Sequence, residues 1–230
     1  MKKILIAALS LVMMLLFTAC GGAGDSQNSG NSPKSAETKS AGTDAAKTPT
    51  GDAGGKKILV VYFSRIGDNY KVGSIAKGNT HIMADMIAEA TGADTFEIKT
   101  AAAYPADYRE CTEVAKKELE ENARPAIVGK VDNWQDYDTV FLGYPIWWSE
   151  LPMAVYTFLE SYDWSGKTVI PFCTSAGDVM TGKEANITKY AKGATLREGL
   201  GLEGKRVQET PDSVKPEVAA WLKKLGFGAN

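Results

Sequence analysis

The chain has 230 residues, 44% hydrophobic and 23% charged, ordinary for a globular protein of one or two domains. Lys and Arg number 26 against 28 Asp and Glu, a net charge of −2, so no positive excess exists to neutralise a nucleic-acid backbone. Three cysteines and one histidine leave nothing to spare for a tetrahedral zinc site, rule out a disulfide scaffold and rest any histidine-based triad on His81 alone.

The first segment reads as a leader. Lys2 and Lys3 precede an apolar run from Ile4 to Phe17, broken only by Ser10 and shorter than the roughly 20 residues a spanning helix needs. The run ends Phe17-Thr18-Ala19-Cys20-Gly21-Gly22, which resembles a bacterial lipobox with Phe in place of the more usual Leu. On that reading residues 1–19 are a signal peptide and Cys20 becomes a lipidated N-terminus. The other reading is an ordinary leader cleaved after Ala19. Gly21 to Gly55 is rich in Gly, Ser, Ala, Thr and Lys, with no aromatic and no large aliphatic residue, so residues 20–55 are expected to form a disordered tether. The folded part would then lie near the extracytoplasmic face of a membrane, with residues 56–230 as one domain.

Lys57 to Ser64 is a continuous apolar run, the pattern of a strand buried on both faces. Asn79 to Thr91 carries Ile82, Met83, Met86, Ile87 and Ala90 at helical spacing, and Ala93 to Ile98 reads as a short strand. Pro105 to Asn122 predicts a helix with Tyr108, Cys111, Ala115 and Leu119 on its buried face; Glu118, Glu120 and Glu121 fall on its solvated face. Thr139 to Tyr144 is a third buried strand, followed by a helix opening at Pro152. Thr168 to Cys173 is a fourth, weakened by Pro171, which has no N–H to donate. A short helix over 185–191, a fifth strand within 194–202 and an amphipathic helix carrying Val214, Val218, Trp221, Leu222 and Leu225 complete the pattern. Cys111 on a helix and Cys173 in a strand are expected as separate buried thiols.

Strands alternating with helices imply an α/β fold with a parallel sheet covered on both faces, whose ligands bind in loops beyond the carboxyl ends of the strands. Three such loops stand out. The first runs from Ser64-Arg65 to Gly78-Asn79-Thr80, where a hydroxyl, glycines and a helix N-terminus favour a phosphate. The bland reading is that Ser64 and Asn79 only cap the helix. There is no Walker Gly-Lys-Ser/Thr, which argues against nucleotide hydrolysis. The second, Tyr144-Pro145-Ile146-Trp147-Trp148-Ser149-Glu150, places two adjacent tryptophans on a loop, where a flat ligand would give one a stacking partner. The alternative is that both pack beneath the loop. The third, Thr174-Ser175-Ala176-Gly177-Asp178, is small and polar, suited to the edge of a planar ring.

These stretches carry a resemblance. Val61-Tyr62-Phe63-Ser64-Arg65, Gly78-Asn79-Thr80, Phe141 to Trp148, and Pro171 to Ser175 resemble the flavodoxin family, most closely its lipoprotein-anchored bacterial members. The resemblance implies a flavodoxin-like three-layer αβα sandwich with a five-stranded parallel sheet in the order 2-1-3-4-5, and FMN bound without a covalent link. Ser64, Arg65, Gly78, Asn79 and Thr80 would cradle the ribityl phosphate. Pro145, Ile146, Trp147 and Trp148 would cover the isoalloxazine, and Thr174, Ser175, Ala176 and Gly177 would line its other side or edge. Two departures stand out. Ile66 to Lys77 intervenes in the phosphate loop, where Asp68, Asn69 and Tyr70 could cover the flavin or meet a partner. The chain is also less acidic than electron-shuttle flavodoxins, which bears on charge-steered docking. No metal and no acid–base residue is implied, since the redox chemistry would be the cofactor's.

Other motifs carry less. Gly199-Leu200-Gly201-Leu202-Glu203-Gly204 fits G-x-G-x-x-G, yet Lys205 to Pro211 is polar and no helix is expected to open there. His81 is expected at the surface, and the Asn186-Ile187-Thr188 sequon is expected to be accidental. The expected function is an FMN electron carrier tethered to the membrane surface, with a redox partner protein or small electron acceptor. The alternatives are an FMN-dependent NAD(P)H:quinone-type oxidoreductase and a non-redox ligand-binding lipoprotein of the same fold.

Overall fold

The computed structural model describes residues 57–177, 180 and 183–227; the leader, Cys20, the tether and Asp178 lie outside them. The chain begins with β1 (Lys57–Tyr62), followed by a hairpin of β2 (Gly67–Asn69) and β3 (Gly73–Ile75), then α1 (Asn79–Thr91). Next come β4 (Asp94–Glu97), β5 (Lys99–Thr100), α2 (Tyr108–Glu120) and β6 (Ile127–Val128). A 3₁₀ turn at Trp134–Asp136 leads into β7 (Tyr137–Pro145) and α3 (Met153–Glu160). The chain continues through β8 (Thr168–Ser175), α4 (Glu184–Tyr190), β9 (Thr195–Leu196), β10 (Leu200–Glu203), α5 (Gly204–Glu209) and α6 (Pro211–Lys224).

The main sheet runs β4-β1-β7-β8-β10 with every pairing parallel. Counting only these strands, the order is the expected 2-1-3-4-5. Alternate residues of β1 feed two cores. Leu59 and Val61 pack with Leu142, Val155 and Phe158 on one face, and Val60 and Tyr62 with Met83, Ile87 and Trp221 on the other. This two-sided burial is what an uninterrupted apolar strand requires. Gly143 in β7 is opposite Phe172 in β8, and a Cβ there would overlap the outer edge of the Phe172 ring, so this glycine is needed for the ring to cross the strand.

Several details differ from the sequence pattern. Pro171 stays within β8, and the fifth strand instead breaks into β9 and β10 around Arg197–Gly199, opposite the proline that lacks a donor. The helix expected from Pro105 starts at Tyr108, because Asp107 caps it, accepting from the Glu110 amide at 2.9 Å. Tyr108 is 41% exposed rather than buried. Glu118 leaves the solvated face: it is half-buried and accepts the Tyr104 phenol at 2.7 Å. A helix does open at Gly204, contrary to the expectation for the glycine-rich stretch. Only helix follows it among the described residues, so no dinucleotide-binding βαβ unit is completed. The Ile66–Lys77 segment holds a hairpin that nothing in its polar, glycine-rich sequence announced. Cys111 and Cys173 are both buried and no disulfide joins them to each other, as expected. Among the described residues no helix is long and apolar enough to cross a membrane.

Candidate functional site

The carboxyl ends of β1, β7 and β8 open onto a cleft of about 320 Å³, within the range of small-molecule sites. Of the residues expected there, Arg65, Asn79, Pro145, Ile146, Trp147, Trp148, Thr174, Ser175 and Ala176 line it; Ser64, Gly78, Thr80 and Gly177 do not. Each of these four has a structural part to play instead. Ser64 Oγ accepts the His81 amide at 3.1 Å, and Gly78 is the N-cap of α1 with no side-chain bond of its own. A Cβ on Gly78 would overlap Ser64 Oγ and lie 2.6 Å from the Arg65 carbonyl oxygen, so only glycine lets the loop close here. The Thr80 hydroxyl shares a 2.8 Å hydrogen bond with that of Thr174 in the buried layer, tying α1 to the end of β8. The Gly177 amide donates to Ser175 Oγ at 3.1 Å, which closes the third loop on itself. The capping reading therefore holds for Ser64, whereas Asn79 turns its side chain to the cleft.

The Arg65 guanidinium is committed to backbone. Nε and Nη2 donate to the Pro105 carbonyl at 3.2 and 2.6 Å, Nη2 to Ala106 at 2.7 Å and Asp107 at 3.2 Å, and Nη1 to the Asp68 carbonyl. It joins the β2–β3 hairpin to the start of α2. His81 sits at the surface, 3.5 Å from Asp85 and against the Tyr62 ring, and does not line the cleft.

The tryptophan loop is a two-residue turn. Trp147 and Glu150 exchange both backbone hydrogen bonds at 2.9 Å, while Trp148 and Ser149 adopt φ of 52° and 58°. Both central residues are left-handed, as in a type I′ turn, without the Gly or Asn that such turns favour. Each costs on the order of 1 kcal/mol. The two indoles diverge. Trp147 is half-buried, edge-on to Phe63 at 5.3 Å and to Tyr104 at 5.0 Å. Trp148 is 53% exposed, with its Nε1 donating to the Thr112 carbonyl at 3.0 Å and Lys116 over its ring. Glu150 anchors the turn from behind, accepting from Tyr156 Oη at 2.7 Å and from Asn186 Nδ2 at 3.1 Å.

Five further lining residues, Tyr108, Cys111, Thr112, Ala115 and Gly204, were not foreseen. The signal lay in α2, where small residues at 111, 112 and 115 make a shallow stripe beside Tyr108. Gly204 carried no such signal, since only the fold shows that a Cβ there would come 2.5 Å from Asn79 Nδ2. Asn69 and Tyr70 of the intervening segment also line the cleft. Burial pushes the Cys111 thiol up, with the Arg65 charge pulling the other way. Burial and the bond to Glu118 likewise raise the Tyr104 phenol, which stays protonated. Among the described residues no three His, Cys, Asp or Glu side chains gather into a metal site.

The profile of the flavodoxin family matches residues 57–225. Two solved structures assigned as flavoproteins align along nearly their whole length. One, from Bacteroides uniformis, is 32% identical with a TM-score of 0.59, covering 74% of this chain and 99% of its own. The other, from Bacteroides eggerthii, is 31% identical with a TM-score of 0.58, covering 75% and 99%. A flavoprotein from Lactobacillus acidophilus, solved in complex with FMN, shares the fold at 23% identity and a TM-score of 0.50, covering 67% and 98%. No curated protein matches. The sheet order, the cleft at the strand ends and these matches agree: the chain belongs to the flavodoxin family.

Proposed function

We propose that this chain is an FMN-carrying electron carrier that works at the extracytoplasmic face of a membrane, held there by a lipid on Cys20. FMN, the family's cofactor, takes up one or two electrons and passes them on.

The residues of the cleft fit that group. Trp147, Trp148 and Tyr108 offer aromatic surface to a planar ring, and Pro145 and Ile146 offer apolar surface beside it. Asn79 Oδ1 is buried without a hydrogen-bond partner among the described residues, an acceptor that a ribityl hydroxyl satisfies. The first turn of α1 offers backbone amides not taken up by Ser64, suited to a phosphate. An apolar aromatic wall disfavours added negative charge on a bound ring, so Trp147 and Trp148 lower its potential. Arg65, committed to carbonyls, supplies positive charge from the side.

The observation that carries this reading is the turn from Trp147 to Glu150, strained at Trp148 and Ser149, which holds the Trp148 indole half in solvent at an energetic cost that a stacked ring would offset. Membrane tethering rests on the leader and the Cys20 motif, and the partner would be a redox protein or a small acceptor. The full chain titrated with FMN should quench flavin fluorescence, with quenching weakened in Trp148→Ala. Absence of binding at micromolar FMN would sink the proposal. Rapid turnover of NADPH with a quinone would convert the carrier into an oxidoreductase. Metabolic labelling with a radiolabelled fatty acid, lost in Cys20→Ser, tests the anchor.

A further inference from the structure

The β2–β3 hairpin reaches across the mouth of the cleft. Its tip is the segment 70–72, between strands that pair Asn69 with Gly73. Tyr70 stacks on Tyr108 of α2, with ring centroids 6.0 Å apart and planes 30° apart. The next residue, Lys71, extends the other way, its Nζ 3.5 Å from the Ala176 carbonyl and 3.8 Å from Glu203. Neighbouring tip residues thus touch the α2 wall and the β8–β10 wall, and Asn69 and Tyr70 line the cleft between them.

The base of the hairpin is fixed more firmly than its tip. Arg65 ties Asp68 to Pro105, Ala106 and Asp107, and the Asp68 amide donates to the Ala106 carbonyl at 2.9 Å. A Cβ on Gly67 would lie 2.8 Å from that same carbonyl oxygen. The tip relies on one stack between exposed rings and on two long contacts of the exposed Lys71 ammonium, with Tyr70 56% exposed. Exposed pairs of this kind are individually weak, whereas several charge-assisted bonds from one guanidinium are strong. A firm base under a weakly held tip is the construction of a strap.

We propose that the hairpin is a strap over the cleft, in which Tyr70 and Lys71 hold the ligand in place and Arg65 secures the base. The identity of the ligand, a flavin nucleotide, rests on the function proposed above; the strap itself does not. Opening of the tip would free a bound ligand from the mouth and expose the cleft wall, including Cys111.

Two readouts on the full chain separate these points. In the first, unliganded protein is pulse-alkylated with iodoacetamide and each cysteine is followed by peptide mass spectrometry. The combined variant Tyr70→Ala, Lys71→Ala should label Cys111 about tenfold faster or more, as expected when a local opening becomes easier. Cys173, fully buried in β8, should label at an unchanged rate and so reports intact folding. An unchanged Cys111 rate overturns the strap. In the second, dissociation of FMN is followed by the return of flavin fluorescence, and the same variant should release it several-fold faster. Equal release rates also overturn it. Failure of the unaltered chain to bind FMN refutes the cofactor reading, while the alkylation arm still decides the strap.

Discussion

Ser64 caps the helix that begins at Asn79 by accepting the His81 amide, seventeen residues along the chain, at 3.1 Å. The N-cap itself is Gly78, which has no side chain to offer. The loop after β1 and the first turn of α1 are thus one unit, closed only because no Cβ intrudes between Gly78 and Ser64. Ser64→Ala should lower stability by about 1 kcal/mol, the usual value of such a cap. Gly78→Ala should cost more, about 1–3 kcal/mol, because the overlap forces the backbone apart. Denaturant unfolding of both variants checks this; a smaller loss in Gly78→Ala than in Ser64→Ala would contradict the packing argument.

Ser149 gains nothing visible from its left-handed backbone, since its side chain is exposed. Ser149→Gly should therefore stabilise the unliganded protein by about 0.5–1 kcal/mol, read as a rise in thermal midpoint. Trp148→Gly relieves the same backbone but removes an indole from the cleft, so it should weaken FMN binding while leaving the midpoint unchanged or higher. A fall in midpoint for Ser149→Gly would mean that the turn is not strained.

The fold was legible because its strands are buried on both faces: the runs at Lys57, Thr139 and Thr168 are apolar without alternation, which only a covered parallel sheet permits. The tryptophan loop was legible as a site because two adjacent indoles on one loop are costly to expose unless a flat ligand covers one of them. What stayed hidden depends on contacts between distant segments. Arg65 resembles a phosphate ligand in sequence, and only the approach of residues 105–107 shows where its guanidinium goes. Glu118 sits among charged neighbours, and only Tyr104 draws it inward. The hairpin at Gly67–Ile75 carries no alternating apolar residues; its pairing follows from turn geometry and the Arg65 anchor.

Tyr137 opens β7 and donates its phenol to Asp94 of β4 at 2.8 Å, joining the two strands that flank β1. Burial, with the carboxylate beside it, pushes this phenol up to about 12. In the unfolded chain it ionises near the ordinary value of about 10. Between those values the unfolded state holds fewer protons than the native one, so stability falls as pH rises. The contribution is complete below pH 10 and is lost as pH approaches 12. Denaturation midpoints measured from pH 8 to 11.5 should decline, and Tyr137→Phe should flatten part of the decline; an identical slope in the variant would place its origin in other tyrosines.

Arg65 provides the sharpest separation between its two possible roles. A phosphate ligand would contribute to FMN binding and nothing to riboflavin, which has the same ring and sugar chain without the phosphate. A guanidinium committed to the carbonyls of Asp68, Pro105, Ala106 and Asp107 shapes the cleft for both. Arg65→Gln leaves those carbonyls without their charged donor and loosens the hairpin and the start of α2 together. The affinities for FMN and riboflavin should then fall in parallel, by about tenfold, on the scale of losing a few charge-assisted hydrogen bonds partly replaced by water. Arg65→Lys should recover little, since an ammonium cannot reproduce the fork that reaches several carbonyls at once. Fluorescence titration with each ligand yields the ratio. A loss confined to FMN would return Arg65 to the phosphate, and a parallel loss fixes it as the residue that holds the cleft's mouth in shape.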